Sequence, residues 1–469
     1  MGAPRVSVII PAYKQADYLG EAIASVLNQT FADLEVIVVN DASPDDTDQV
    51  VKQFNDPRLK YIVHAENQML AAARNTGIRA STGEIIFLLD ADDLFHPDKI
   101  KAHVEFLDAH PAIGSTYNAR FGIYHSPQDT FELWRPPLTV GLSDFVMGFP
   151  FSPSDMVVRR AWLFRVDLFD ASYTAFSEDL DINCRLALAG CQFASVNRAL
   201  NYRRTHPARV IKNITARLDA ALRALEITFT DARCPQDVLA LRGAAYAAHY
   251  LVWAFRALAQ NETDLGQTYL RQAAQLDPRI LDGRPCELVN LFLHQCLADA
   301  SDDHAVALPR LFAQLPSEMA SLAEQLDWAI TRGYLALATR EAMWGDDDQA
   351  REYFEQCAQR GDGADEAYVT QLAYQLCNYE IEFGDAATQV ILRRLEPGLQ
   401  KVGAKNVMRS LRGQYAINSV FQNYWNGRYA CVPGHVIRAI TNQPKHLANR
   451  GVWAILGRAV WQMMRGKSN

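Results

Sequence analysis

Residues 84–93 read EIIFLLDADD, and this stretch decides the fold. Ile85 to Leu89 is an unbroken apolar run of strand length, the pattern of a strand buried on both faces within a parallel sheet. Asp90, Asp92 and Asp93 follow directly, just past its C-terminal end. In an open α/β sheet that edge is where ligands bind. Carboxylates crowd together there when a cation neutralises them. Oxygen-only ligands suit a hard ion, Mg²⁺ or Mn²⁺, and such ions bridge to phosphate. The stretch implies a metal–diphosphate site and an activated nucleotide as substrate.

Outward from it, strand and helix alternate over roughly the first 200 residues, as in a parallel sheet with helices on its faces. Strands are predicted at Val6 to Pro11, Glu35 to Asn40 and Leu59 to Val63. Between them come helices near Tyr18 to Asn28, where Leu19, Ile23, Val26 and Leu27 recur at helical spacing, and near Asp48 to Phe54, with Ser43 or Asp45 as N-cap. Further helices are predicted over Leu70 to Ala80 and Pro97 to Ala109. After Pro111 the pattern loosens. A strand at Met156 to Val158, a helix at Asp179 to Ala189 and a strand region at Phe193 to Tyr202 are still legible. The stretch from 115 to 155 carries no readable code and is expected to supply acceptor-binding loops.

From about residue 213 the alternation stops and Ala- and Leu-rich helical segments take over. The expected domains are therefore 1–212, α/β, and 213–469, all-helical. Three stretches look loosely alike: YLVWAFRALAQNETDLGQTYLRQAAQLDP, YLALATREAMWGDDDQAREYFEQCAQRGD and YWNGRYACVPGHVIRAITNQP. Each reads as helix, polar turn, helix. Tetratricopeptide-like (TPR-like) hairpins and a generic helical bundle both account for them.

With 469 residues the chain exceeds one ordinary core. Its 49% hydrophobic and 21% charged residues are those of a globular protein, and its net charge is −8. No long Lys/Arg run marks a nucleic-acid partner. The 8 cysteines are scattered without a CxxC pair, which disfavours a zinc site and a disulfide framework and fits a reducing cytoplasm. The apolar run near the start is too short for a signal peptide, and no apolar stretch is long enough to span a bilayer. GxGxxG, GxxxxGK[ST] and GxSxG are all missing, which disfavours a Rossmann dehydrogenase, a P-loop NTPase and an α/β-hydrolase.

Single residues carry two readings each. Asp41 ends a strand at the ligand edge, where a carboxylate accepts from a base or ribose hydroxyl; it is also an ordinary turn residue. Tyr13 suits stacking on a base or packing over a loop. Arg74 suits a phosphate or a solvated helix face. Glu178 and Asp179 suit a helix-dipole pair capped by Ser177, or a general base that takes a proton from an acceptor hydroxyl. Asp181 is expected on the outer face of that helix. His206 is a metal or phosphate ligand or a structural histidine.

Taken in order, VSVIIPAYKQADYLGEAIASVLNQTF, EVIVVNDASPDDT, AAARNTGIRASTGEIIFLLDADDLFHPDK, SEDLDINCRLALAG and YRRTHP resemble a family 2 glycosyltransferase of the GT-A fold. The resemblance covers about the first 206 residues. It implies an inverting, metal-dependent transferase using a nucleotide sugar, UDP-linked, with a glycan, lipid-linked saccharide or protein hydroxyl as acceptor. By that likeness Pro11, Tyr13 and Asp41 line the nucleotide pocket. Asp90, Ala91 and Asp92 form the DxD motif. Asp92 is the direct ligand of Mg²⁺ or Mn²⁺, and His206 sits with it near the diphosphate. Asp179 of the Glu178–Asp179 pair is the base. The chain departs from the family where Asp-Asp-Gly-Ser becomes Asn40-Asp41-Ala42-Ser43; without the glycine, this turn is expected to avoid positive φ. The Gln-x-x-Arg-Trp motif of processive membrane synthases is missing. The rival readings are a nucleotidyltransferase, which wants a Gly-rich basic loop where PAYKQADY stands, and a non-catalytic scaffold whose helical half binds protein. Finally, GVWAILGRAVWQMMRGK, residues 451–467, reads either as a docked core helix or as an interfacial helix that brings the enzyme to the inner face of an anionic membrane.

Overall fold

The computed structural model describes residues 2–466 except 149, 175, 207–212, 299–302 and 362. Its strands are β1 (Val6–Ala12), β2 (Leu34–Asn40), β3 (Leu59–Val63), β4 (Ile85–Leu88), β5 (Leu94–Phe95), β6 (Ser115–Ile123), β7 (Thr130–Trp134), β8 (Val157–Arg159) and β9 (Phe193–Arg204). They form one sheet in the order β3-β2-β1-β4-β8-β6-β9-β5, with β7 added on β6. β1 pairs in parallel with β2 and β4, and β2 with β3. β8 runs antiparallel to β4 and β6.

Every residue of β1, β2 and β4 is buried. Successive side chains enter opposite cores. Ile9, Ile37, Val39, Ile86 and Leu88 pack on one side, and Val8, Ile10, Val36, Val38, Ile85 and Phe87 on the other. A strand covered on both faces has no use for polar alternation, which is why these segments read as continuous apolar runs. Helices Ala16–Leu27, Thr47–Lys52, Met69–Ala80 and Lys99–Ala109 lie close to their predicted positions. In helix Met69–Ala80, Gly77 comes so near β1 that a Cβ would sit 2.3 Å from a methyl of Ile9. That close seat sets the height of Arg74, one turn earlier.

Two expectations fail here. The 115–155 stretch is not a run of loops: β6 is nine residues long and pairs with β7, β8 and β9. Its apolar signal is diluted by Ser115, Thr116 and Asn118, all fully buried. Thr116 and Asn118 are satisfied internally by His103 and Lys99. Neither Ser43 nor Asp45 is the N-cap of Thr47–Lys52; Asp46 holds that position without a side-chain cap bond. Asp45 instead gathers Ser43 Oγ, Thr47 Oγ1 and the Ala16 N–H.

Helices take over from Ile214. Two of the three look-alike stretches are helical hairpins, Arg242–Ala259 with Thr263–Leu276 and Leu326–Trp344 with Asp347–Arg360; the third holds only the end of Val407–Trp425, a short 3-10 turn and the helix Val432–Asn442. The elements between them are unlike one another, including a 37-residue helical run, Glu366–Val402, broken at Gly384 (φ 83°). The chain divides into two compact units, Met1–Leu291 with Ala313–Ala320, and Phe292–Phe312 with Ser321–Asn469. The change of texture at residue 213 is therefore not where compactness divides. Ala221, Leu225, Phe229 and Ala245 enter the same core cluster as Val158, Leu180 and Phe193. Among the described residues no helix is long and apolar enough to cross a membrane.

Candidate active site

The parallel register aligns Ala12 with Asn40 and Asn40 with Val63, so Tyr13, Asp41 and His64 all leave the sheet at one edge. The acid cluster leaves β4 at the same edge, since Leu88 pairs with Ile9. The loops there are cross-tied: the Lys14 N–H donates to Ser43 Oγ at 2.7 Å and the Ala16 N–H to Asp45 Oδ2 at 2.9 Å. Pro11 is buried within β1, and Tyr13 is 39% exposed, a ring open to a ligand.

Asp41 is buried. Its Oδ1 lies 2.7 Å from His64 Nδ1 and accepts from the Gln68 N–H at 2.8 Å. His64 Nε2 reaches Thr76 Oγ1 at 2.9 Å, so the imidazole fixes the carboxylate's orientation. His64 was not singled out from sequence, although its place one residue past β3 puts it on the ligand edge. The turn after Asp41 does what the missing glycine argued against: Ala42 takes φ 54°. The left-handed turn is kept, at a steric cost to the alanine Cβ.

Asp92 and His206 come together, Oδ2 to Nε2, at 3.0 Å, and both are buried. The strut is Arg204, also unmarked in the sequence reading. Its N–H donates to Asp93 Oδ1, its Nε to the Asp92 carbonyl, and its Nη2 to Glu21. The His206 ring packs on Tyr18 at 4.7 Å. Pro207 of the same motif lies outside the described residues. From behind, the Asp90 N–H donates to Ser154 Oγ at 3.1 Å, and the Ser154 carbonyl accepts from Lys99 Nζ at 2.6 Å. Burial drives the Lys99 ammonium down to about 7, with Asp155 and Asp93 opposing the shift.

Arg74 joins the two acidic motifs. Nη1 donates to Glu178 Oε1 at 2.6 Å and Nη2 to Asp90 Oδ1 at 2.8 Å, and the side chain is 1% exposed. Burial works against its charge; Asp90 and Glu178 overcome that and hold it protonated. Both terminal nitrogens expected at a phosphate are thus engaged by carboxylates. Asp179, next to Glu178, accepts from the Leu180 N–H at 2.9 Å. Burial and the neighbouring Glu178 push it up to about 7, against the pull of Arg74. Ser177 stands at the N-cap, but with φ 68° and no side-chain bond, directly after Phe176 at φ 71°. Two left-handed residues in succession are a costly backbone to hold before a candidate base. Asp181 is not on the outer face; it is buried and paired to Arg185 at 2.5 Å.

Among the described residues three candidate ligand atoms come within 4.8 Å of one another only at Glu380, Asp385 and His435, in the second unit. Arg438 already holds Asp385 through two bonds of 2.9 Å, and Tyr415, Ser419, Asn423 and His435 saturate Glu380, so this is a satisfied polar network. At the sheet edge the donors are fewer: Asp92, His206 and the partly exposed Asp90. They fit a hard ion that takes its remaining ligands from a diphosphate, since Mg²⁺ is commonly held by one or two carboxylates plus substrate phosphates.

Residues 7–171 match the family model for glycosyl transferase family 2. Residues 7–171 thus carry a domain of that family. An uncharacterized glycosyltransferase of Haemophilus influenzae is 30% identical over 215 residues, which cover 43% of this chain and 66% of that protein. One from Rickettsia bellii is 43% identical over 105 residues, 22% of this chain and 15% of its own length. The chain thus spans a small part of the Rickettsia protein. Among solved structures, Staphylococcus aureus TarS 1–349 in complex with UDP superposes with a TM-score of 0.44 at 19% identity, covering 71% of this chain and 92% of that one. The mannosyltransferase PcManGT of Pyrobaculum calidifontis, in complex with GDP-Man and Mn²⁺, gives 0.44 at 21%, covering 70% and 86%.

Proposed function

We propose that the chain is an inverting glycosyltransferase that moves one sugar from a nucleoside diphosphate donor, UDP-linked, to a hydroxyl of a saccharide, lipid-linked or protein acceptor. The observation that supports this is Arg74, which ties Asp90 of the acid cluster to Glu178 of the acidic pair; in this reading the first motif serves the donor and the second the acceptor. Residues 1–212 hold the chemistry in this proposal, and 213–469 form the helical part.

Tyr13 offers its open face to the base. Pro11 shapes the pocket floor, and Asp41, oriented by His64, accepts from the base or ribose. Asp92 and His206 would hold Mg²⁺ or Mn²⁺, with Asp90 and Ala91 completing the motif. The ion would supply neutralisation of charge on the departing diphosphate. Asp179 takes the acceptor's hydroxyl proton. The acceptor oxygen bonds to the anomeric carbon as the bond from that carbon to the diphosphate breaks, and the nucleoside diphosphate leaves with its electron pair. One displacement inverts the centre. A base that ionises near 7 is matched to this step at neutral pH. Arg74 holds Glu178 by a hydrogen bond of 2.6 Å, which leaves the proton-accepting role to Asp179.

The test is a panel of nucleotide sugars assayed for release of nucleoside diphosphate, with and without EDTA. Release from a UDP-sugar that EDTA abolishes and Mn²⁺ restores supports the proposal. No turnover of any donor would favour a non-catalytic scaffold.

A further inference from the structure

We infer that the face of helix Arg450–Met464 turned away from its own core is a docking surface for an anionic lipid bilayer. The inference stands apart from the transfer chemistry.

The helix has two apolar stripes. Val452, Ile455 and Ala459 are buried in a cluster with Ala416, Val420, Val432 and Val436. That stripe accounts for the docking of the helix on its unit, but the core-helix expectation of packed tryptophans fails, because the aliphatic residues and not the indoles enter the core. It does not account for the second stripe. Trp453, Val460 and Met464 follow at helical spacing, with Trp461 beside them, and they are 45%, 40%, 76% and 46% exposed. The indole of Trp453 donates to the Leu447 carbonyl, bringing another exposed apolar side chain alongside. Monomeric surfaces rarely leave such a contiguous patch uncovered.

Charge selects the occupant. Arg450, Arg458 and Arg465 are exposed along the same helix, and Arg465 lies 3.7 Å over the Trp461 ring. From residue 397 to 469 the sequence holds 11 Lys or Arg and no Asp or Glu, in a chain whose net charge is −8. The excess of acid is therefore all in the preceding residues, and this last stretch is purely basic. Tryptophans interleaved with arginines suit the headgroup layer, where the rings sit at the apolar boundary and the guanidinium groups meet lipid phosphates. A symmetric second copy would set Arg450, Arg458 and Arg465 against a surface of the same sign. Among the described residues no helix is long and apolar enough to span a bilayer, so the contact inferred is with its surface.

The test is co-sedimentation of the full chain with vesicles of phosphatidylcholine mixed with phosphatidylglycerol, against phosphatidylcholine alone. Binding only to the mixed vesicles, weakened by salt and accompanied by a blue shift of tryptophan emission, is expected. Arg458→Glu with Arg465→Glu should lower the partition coefficient by on the order of tenfold or more. Trp453→Ser with Trp461→Ser should abolish binding while donor turnover and melting temperature hold. If the tryptophan pair disturbs folding, the arginine pair decides alone, since those side chains are exposed. Failure of the full chain to bind mixed vesicles, or binding that the arginine pair leaves unchanged, would overturn the inference. So would self-association that the tryptophan pair abolishes without vesicle binding by the full chain, which would assign the patch to a second copy.

Discussion

His206 Nε2 stands 3.0 Å from Asp92 Oδ2, joining the end of β9 to the acids that follow β4 across 114 positions of sequence. Arg204 makes the junction rigid by reaching the Asp92 carbonyl and Asp93 from the same strand end. The sheet order explains why two distant motifs meet: β9 pairs with β5, the two-residue strand directly after the acids.

Asp179→Asn is expected to cut turnover by roughly 10²–10⁴-fold, the usual worth of a general base, with donor affinity unchanged. Wild-type turnover should fall as pH drops through about 7, where Asp179 gains its proton. Stability runs the other way. Its folded pKa is raised, so its favourable contribution is full below the ordinary aspartate range and is lost as pH rises through about 7. Melting temperatures across pH should therefore show the asparagine variant gaining on wild type as pH rises from the ordinary aspartate range to about 7, and holding that lead above it. An unchanged pH–rate profile in the variant would take the base role away from Asp179.

Arg74→Met should be costly in two ways. Removing one partner of a buried ion pair strands the others and destabilises by about 3–5 kcal/mol. Asp90 and Glu178 would face each other without their shared cation. Denaturant unfolding is expected to show that loss, with turnover falling even at temperatures where the variant is folded. A variant of normal stability would show that the guanidinium bridge is weak.

Asp41→Ala should weaken UDP binding by about 1–3 kcal/mol, the scale of a charge-assisted hydrogen bond. The same change frees His64 from its carboxylate, so His64→Ala should reproduce part of the loss. Calorimetry with UDP reads both, and undiminished affinity in the Asp41 variant would remove it from the pocket.

Ala42→Gly is expected to stabilise the protein by about 1 kcal/mol, because a Cβ at φ 54° is strained and glycine is not. Thermal unfolding measures it. A destabilised variant would mean that the alanine methyl makes a packing contact worth more than the strain.

What sequence could reveal followed from how each element is solvated. β1, β2 and β4 are covered on both faces and therefore announced themselves as apolar runs that end in ligand-edge residues. β6 was overlooked because only one of its two buried faces is apolar: Tyr117, Ala119, Phe121 and Ile123 alternate with the other face, where buried Thr116 and Asn118 serve His103 and Lys99. The members of the acidic motifs were legible, but not the bridge between them. Arg74 reads equally as a phosphate ligand or a surface helix residue until the fold sets Glu178 against it. His64 and Arg204 escaped notice for a related reason, since each acts by orienting a motif residue. Two helical hairpins were visible as helix–turn–helix patterns, whereas the division near residue 291 was not, because it falls inside the helix Glu287–Ala298 with no turn to mark it.

The central claim is that Asp92 holds a divalent ion against the diphosphate of a nucleotide donor. Titration calorimetry of UDP into the wild-type chain and into Asp92→Asn, each with and without Mn²⁺, tests it most directly. The account predicts that Mn²⁺ strengthens UDP binding by wild type and not by the variant, while the two bind equally in EDTA. Metal-enhanced UDP binding of the same size in both proteins would contradict it.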